Sequence, residues 1–405
     1  MYNTLKRLGP GLLFAGAAVG VSHLVQSTRA GADFDFGLIW ALLLVHLFKY
    51  PFFQYGPRYT LATGECLLDG YRKLGNPVLI TYFILTFATM FTIQTALTIV
   101  TAGLASTLFG ITTDTVTWSA IITVTCMFIL LLGRYKLLDK LMKVIVLTLT
   151  ISTLITVMLA IPETTAPHSL KQVFPKSDAG MAFLIAFMGW MPAPLDISIW
   201  HSLWTMEKRK NIPGYSLKNS ITDFNIGYSS TIVLGILFMA LGALIMFGSG
   251  EVFSNNATTF SEQLIALYTG NLGEVAYIII AIAAFTTMFS TTLTTLDASP
   301  RAMSYTTRLL IGKYHRNSYM WWMIILATGT IAILLFFLSE MKTLIDIATI
   351  LSFVTAPFYA IINFRLICSS HTPEKDKPGI SLKIISWLGI IFLTGFTIWY
   401  VITLF

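Results

Sequence analysis

Along the chain, long stretches of Leu, Ile, Val, Phe and Ala alternate with short polar connectors. Each apolar stretch lasts about 18 to 25 residues, the length of helix that spans a bilayer's hydrocarbon core. The pattern predicts eleven helices, at about 9–30, 36–62, 78–106, 116–133, 138–161, 180–205, 222–248, 273–297, 319–337, 343–366 and 383–404. The polar stretches at about 162–179, 206–221, 249–272 and 366–382 are too short for cores of their own. One transmembrane domain therefore covers residues 1–405, and 162–179 and 251–272 are expected to be outer loops holding short helical pieces.

Composition changes this picture little. The chain is 55% hydrophobic and 11% charged, with a mean hydropathy of +0.75. A soluble domain carries about 25% charged residues, so too few polar groups are available to coat a water-facing surface. Charge orients the helices. With the N-terminus inside, all but four of the 26 Lys and Arg fall on the inner side, in groups such as Lys6 and Arg7, Lys49 and Arg58, and Arg134 to Lys143. Only Arg29, Lys171, Lys176 and Lys342 are expected outside. This is the positive-inside bias, and an odd number of spans places the C-terminus outside. The net charge of +7 is scattered between spans, which excludes a nucleic-acid surface. Cys66, Cys126 and Cys368 have neither disulfide nor metal spacing. Asn256-Ala257-Thr258 is a sequon of little weight. The first apolar run is too long for a cleaved signal peptide and is expected to stay.

Candidate chemistry lies where the apolar runs are interrupted. A helix in lipid satisfies its own backbone, so a mid-span interruption marks a protein-lined cavity. The first run places Gly16, Gly20, Ser22, His23 and Gln26 in mid-span, and the sixth places Gly189, Pro192, Pro194, Asp196, Ser198 and His201 there. Helices one and six are corresponding members of two five-helix halves, about 9–161 and 180–366, followed by an extra helix at 383–404. Five is odd, so the halves run in opposite directions, an inverted repeat around a midplane site. Glycine and proline also serve packing and kinks, but two matched interruptions with ionisable residues favour a substrate site. His23 could bind a metal, a proton or a substrate. Met191 is a soft thioether. Asp196 is either a cation or proton site or a cap on the restarted half-helix. Glu65 and Arg58, near the inner end of helix two, could pair with each other or with the first helix as a gate. The hydroxyl series from Thr286 to Ser299 suits packing or a hydrated path. No phosphate-binding glycine loop, zincin pair or nucleophile elbow occurs, so neither an enzyme nor an ATP-driven pump is indicated. An ion gradient or the substrate's own gradient would drive transport.

The residues GPGLL at 9–13, RAGADFDFGLIWALLL at 29–44, GRYKLLDKLMKVIVL at 133–147 and MP at 191–192 resemble the Nramp divalent metal-ion transporters, within the amino acid, polyamine and organocation superfamily. The resemblance covers nearly the whole chain. It implies an all-α, eleven-helix membrane protein with an inverted repeat and discontinuous helices 1 and 6. It also implies uptake of manganese or iron coupled to protons by alternating access, with the metal as cargo rather than cofactor. The family's first-helix Asp-Pro-Gly-Asn falls on Gly20-Val21-Ser22-His23, and its sixth-helix Met-Pro-His-Asn on Met191-Pro192-Ala193-Pro194. Gly20 thus stands at the metal carboxylate's position and Ala193 at the position of the histidine linked to proton movement. The implied site is Gly20, Ser22, His23, Gln26, the Met188 carbonyl, Met191 and Asp196. Two alternatives stay open: an anionic or zwitterionic solute in the same fold, and a membrane sensor that no longer transports. The expected partners are the lipid bilayer of a bacterial inner membrane and a small inorganic cation, with no nucleic acid and a monomer plausible.

Overall fold

The computed structural model describes residues 9–132, 135–161, 167–212, 214–250, 253–272, 274–313, 315–337 and 340–403. Lys6, Arg7 and Arg134, counted above among the inner charges, lie outside the described residues, as do the side chains of residues 135–146. The first run divides as the interruptions predict. Helix α1 (Pro10–Ala18) stops before Gly20, a π-helical segment follows at Ser22–Ser27, and α2 (Thr28–Phe34) completes it. The two parts are bent by 48°. Next come α3 (Ile39–Thr63), α4 (Leu67–Leu74), α5 (Asn76–Phe109), α6 (Thr115–Leu132) and α7 (Tyr135–Ala160). The sixth run is also broken, into α8 (Asp178–Trp190) and α9 (Ile197–Asn211). It is followed by α10 (Leu217–Met246), α11 (Ala257–Leu272), α12 (Glu274–Ile311), α13 (Ser318–Phe336), α14 (Met341–Cys368) and α15 (Ile380–Thr403).

Six helices among the described residues are long and apolar enough to cross a membrane alone, and the bent α1–α2 pair adds a seventh. Among the helices that fall short by this measure are three beside the breaks. Helix α3 carries Lys49 and Arg58, α9 carries His201 and a basic last turn, and α8 is only 13 residues long. Lys49 and His201 are fully buried, so their contribution to low hydropathy reflects burial against neighbours rather than contact with water. Lipid-facing character is plain on α6 and α15, where Phe128, Leu132, Ile391 and Ile402 are among the exposed large side chains.

Helix α10 is the strut that holds the broken first helix. Gly227 sits where an added Cβ would lie 2.0 Å from the Gly11 carbonyl oxygen, and at Gly242 it would lie 2.0 Å from that of Thr28. Only glycine allows two backbones this close, so α1 and α2 both lie directly on α10. Phe14 of α1 fills the adjoining space, with ring centroids 4.9 Å from Phe53, 5.6 Å from Phe224 and 5.9 Å from Tyr228.

Two expectations need correction. Residues 167–177 contain no helix: Pro167 and Pro175 interrupt the run, and the segment lies extended along the α2–α3 turn. There Val173 donates to the Gly37 carbonyl at 2.9 Å, and the Trp40 indole donates to the Val173 carbonyl. The eighth span continues well beyond residue 297, because the hydroxyls that lower its hydropathy bond their own helix. Thr294 donates to Ser290 O at 2.7 Å and Thr306 to Ala302 O at 2.8 Å.

Candidate functional site

The second break is built by proline. In a continuous helix the Met188 carbonyl would accept from the N–H of residue 192, and that of Trp190 from residue 194, but both donors are proline. Helix α8 therefore ends at Trp190 with open carbonyls, and Met191 to Asp196 connect it to α9 through a cis Met191–Pro192 bond. The negative end of the α8 dipole points into this gap, which favours a positive charge. One is present. Lys49, from the middle of α3, is fully buried and donates through Nζ to the carbonyls of Met188 at 2.8 Å, Gly189 at 2.7 Å and Ala193 at 3.3 Å. Lys49 was counted above with the inner flanking charges; it belongs instead to the centre of the molecule. A lone lysine inside LLLVHLFKYPFF was the available signal, since a charge that deep in an apolar run needs a partner.

Asp196 stands at the N-cap of α9 but makes no side-chain cap bond, and its buried Oδ1 has no hydrogen-bond partner among the described residues. Among the described residues no carboxylate comes within ion-pair distance of Lys49. Of the two roles left open for Asp196, capping through a hydrogen bond is not the one observed.

Across the gap, Ser22 and His23 occupy the π-helical segment, a distortion common at functional sites. His23 does not offer a ring nitrogen to the gap. Its Nε2 lies 3.0 Å from the Thr231 carbonyl, which can only accept, so Nε2 carries the proton. Its Nδ1 lies 2.7 Å from the Ser22 hydroxyl, which is also 2.7 Å from the Ala18 carbonyl. The single Ser22 proton serves either the Ala18 carbonyl or Nδ1, so Nε2 makes the one bond fixed by its partner, and His23 is fully buried against α10. We expect His23→Ala to strand the Thr231 carbonyl and lower stability by about 1–3 kcal/mol. A fall in the melting temperature of the detergent-solubilised protein checks this positioning role.

A narrow cleft of about 20 Å³, room for about one water, lies between the breaks, lined by Gly20 and Ser22 on one side and Trp190, Ala193, Pro194 and Trp200 on the other. Thr291 of α12 closes its floor, with its hydroxyl 3.2 Å from the Gly16 carbonyl and 3.3 Å from that of Val19. A Cβ at Gly20 would lie 3.0 Å from the Thr291 side chain, so a larger residue there would press on Thr291.

Of the predicted site residues, the structure brings Gly20 and Ser22 to the cleft wall and the Met188 carbonyl to the adjoining cradle. Met191 is fully buried at the end of α8 but does not line the cleft. Gln26 is buried one turn further along, with both amide atoms unpartnered among the described residues. Glu65 and Arg58 do not pair: Glu65 meets Lys73 at 2.5 Å, whereas Arg58 donates to the Gln54 side chain and the Asp376 carbonyl. Most of the α12 hydroxyls bond within their own helix, and Thr291 and Thr295 line the cleft at the break. No group of three His, Cys, Asp or Glu that could hold a metal occurs among the described residues. Sequence reasoning also missed Asp223 of α10, whose carboxylate accepts from the amides of Gly9 and Gly11 at the start of α1.

Comparison with known proteins agrees with this architecture. The chain is 37% identical over 407 residues to the uncharacterized protein PM0681 of Pasteurella multocida, covering 99% of this chain and 93% of the relative. It is 25% identical to the divalent metal cation transporter MntH of Staphylococcus saprophyticus, over 98% and 92% of the two chains. Among solved structures, a mutant of the Eremococcus coleocola manganese transporter matches with a TM-score of 0.77 at 17% identity, covering 97% of this chain and 85% of that one. The structure of MhsT in complex with L-phenylalanine matches with a TM-score of 0.65 at 16% identity, covering 96% of this chain and 98% of that one. The fold is thus the all-α inverted-repeat architecture with discontinuous first and sixth helices. The pattern of the Natural resistance-associated macrophage protein-like family matches residues 11–403, and the chain belongs to this Nramp family of membrane transporters.

Proposed function

We propose that the chain is a secondary-active transporter of a divalent metal ion of the manganese and iron class, working by alternating access and coupled to protons. The observation that carries a cationic cargo is the cradle at the end of α8, where three backbone carbonyls already converge on a positive charge. Discontinuous helices hold coupling or cargo cations in this way in other transporters. In this reading the ion takes the carbonyls of Met188 and Gly189, Met191 supplies a soft sulfur, and Asp196 supplies charge that Gly20 lacks. The metal class follows that of the Staphylococcus and Eremococcus proteins. The protein would sit in a bacterial inner membrane with its N-terminus on the cytoplasmic side.

The cleft walls favour a second reading. Trp190, Trp200 and the Ser22 and Thr291 hydroxyls are suited to a small zwitterionic or anionic solute, and no acidic cluster adjoins them among the described residues. Uptake into proteoliposomes of manganese, iron, magnesium and calcium, with and without a proton gradient, separates the two. We expect saturable manganese uptake that a proton gradient accelerates and that Met191→Ala reduces at least tenfold. If none of the four metals moves while an amino acid is taken up saturably, the second reading replaces the first.

A further inference from the structure

Lys49 is held in an unusual way for a buried ammonium. Buried charges normally meet an opposite charge, because desolvation otherwise costs several kcal/mol. Among the described residues Lys49 has no ion pair; its three donors go to carbonyl oxygens alone. That is the manner in which backbone coordinates a free cation. The cradle exists whether or not lysine fills it, since Pro192 removes the donor that would otherwise occupy the Met188 carbonyl. The lysine stem is anchored on a helix whose backbone is tied down beside it, with the Tyr228 hydroxyl donating to the His46 carbonyl at 2.5 Å. The ammonium can therefore leave the cradle only by side-chain rotation, and it remains nearby when it does.

We infer that Lys49 is a tethered cation that competes with free cations for the carbonyl cradle at the end of α8 and so determines which cations can bind there. The inference deepens the proposed function, resting on its reading of the cradle as the place where cargo charge is held. An empty carrier would keep an open set of helix-end carbonyls facing apolar surroundings; the ammonium neutralises them during the return step. A divalent ion cannot share the cradle with it. A doubly charged ion beside the ammonium would meet twice the repulsion of a unit pair, in surroundings that screen it poorly. Only a cation that binds strongly enough to displace the lysine would be carried, and weakly held monovalent ions would be turned away.

The test uses the purified full chain in detergent and follows its melting temperature as manganese, magnesium, sodium or potassium chloride is titrated against choline chloride at constant ionic strength. We expect Lys49→Met to be less stable than wild type in choline and to be restored by small cations, with manganese affinity at least tenfold tighter than wild type. Lys49→Arg should behave as wild type, because a guanidinium also fills the cradle. Equal manganese affinity in wild type and a monodisperse Lys49→Met would overturn the inference. Should Lys49→Met fail to fold, Lys49→Gln carries the same expectation and the same refutation. Failure of the functional reading is separate: wild type that moves no metal, beside a Lys49→Met protein that gains cation binding, removes the cargo assignment and leaves the tethered cation standing.

Discussion

Asp223→Ala is expected to release the start of the first helix and reduce transport to less than a tenth of the wild-type rate. The carboxylate accepts from Gly9 N at 3.1 Å and from Gly11 N at 2.8 Å, and Pro10 between them has no N–H to satisfy. These amides are the positive end of α1, so the bonds are charge-assisted and also complement the helix dipole. Each is worth about 1.5–3 kcal/mol, and losing both removes roughly 3–6 kcal/mol from the docking of α1 on α10. Since α1 forms one wall of the cleft, its detachment opens the cleft on that side permanently and prevents alternation. Initial uptake rates in proteoliposomes measure the loss. Thiol labelling of a cysteine substituted for Ala18, one of the cleft residues, measures the opening and should rise at least tenfold in the variant. Asp223→Asn, which keeps one acceptor oxygen, should fall between.

A second large effect is expected from Gly227→Leu. The added Cβ would lie 2.0 Å from the Gly11 carbonyl oxygen and 2.7 Å from its carbon, both backbone atoms of a buried helix. No rotamer relieves that overlap. Ordinary overpacking costs about 1–3 kcal/mol, and a clash of backbone with a fixed Cβ exceeds it. The variant should fail to elute as a folded monodisperse species after solubilisation. Gly395→Ala serves as the control: Gly395 lies on α15 with nothing within 4 Å of its added Cβ, so its melting temperature should stay within a few degrees of wild type. A well-folded, active Gly227→Leu protein would mean that α1 does not pack on α10 as described.

Much of this architecture was legible in the residues themselves. Pro192 and Pro194 remove two helix donors in one run and Gly20 and Ser22 interrupt the other, so both breaks appear where the sequence places them, whereas Pro51 and Pro57 stay inside a continuous α3. The donors around the breaks were less legible because they depend on contacts across the chain. His23 reads as a ligand until Thr231, 208 positions later, is found on its Nε2. Lys49 reads as one of the inner charges because a long lysine stem usually reaches outward to water. Here the same long stem reaches inward, from α3 to the end of α8. Arg58 and Glu65 are close enough in sequence to suggest a pair, yet each has a nearer partner in Gln54 and Lys73. Hydropathy also misjudged α12, since it scores threonine as polar even when its hydroxyl is satisfied by its own helix.

The central claim is that a cation cargo is held by the carbonyls at the end of α8. It is tested most directly by locating the ion: crystals of the wild-type protein grown with manganese, measured at the manganese absorption edge. The account predicts an anomalous peak beside the Met188 and Gly189 carbonyls and Met191, with the Lys49 ammonium displaced from its present position. Manganese bound elsewhere, with Lys49 still on the three carbonyls, or no ordered manganese at saturating concentration, would contradict it.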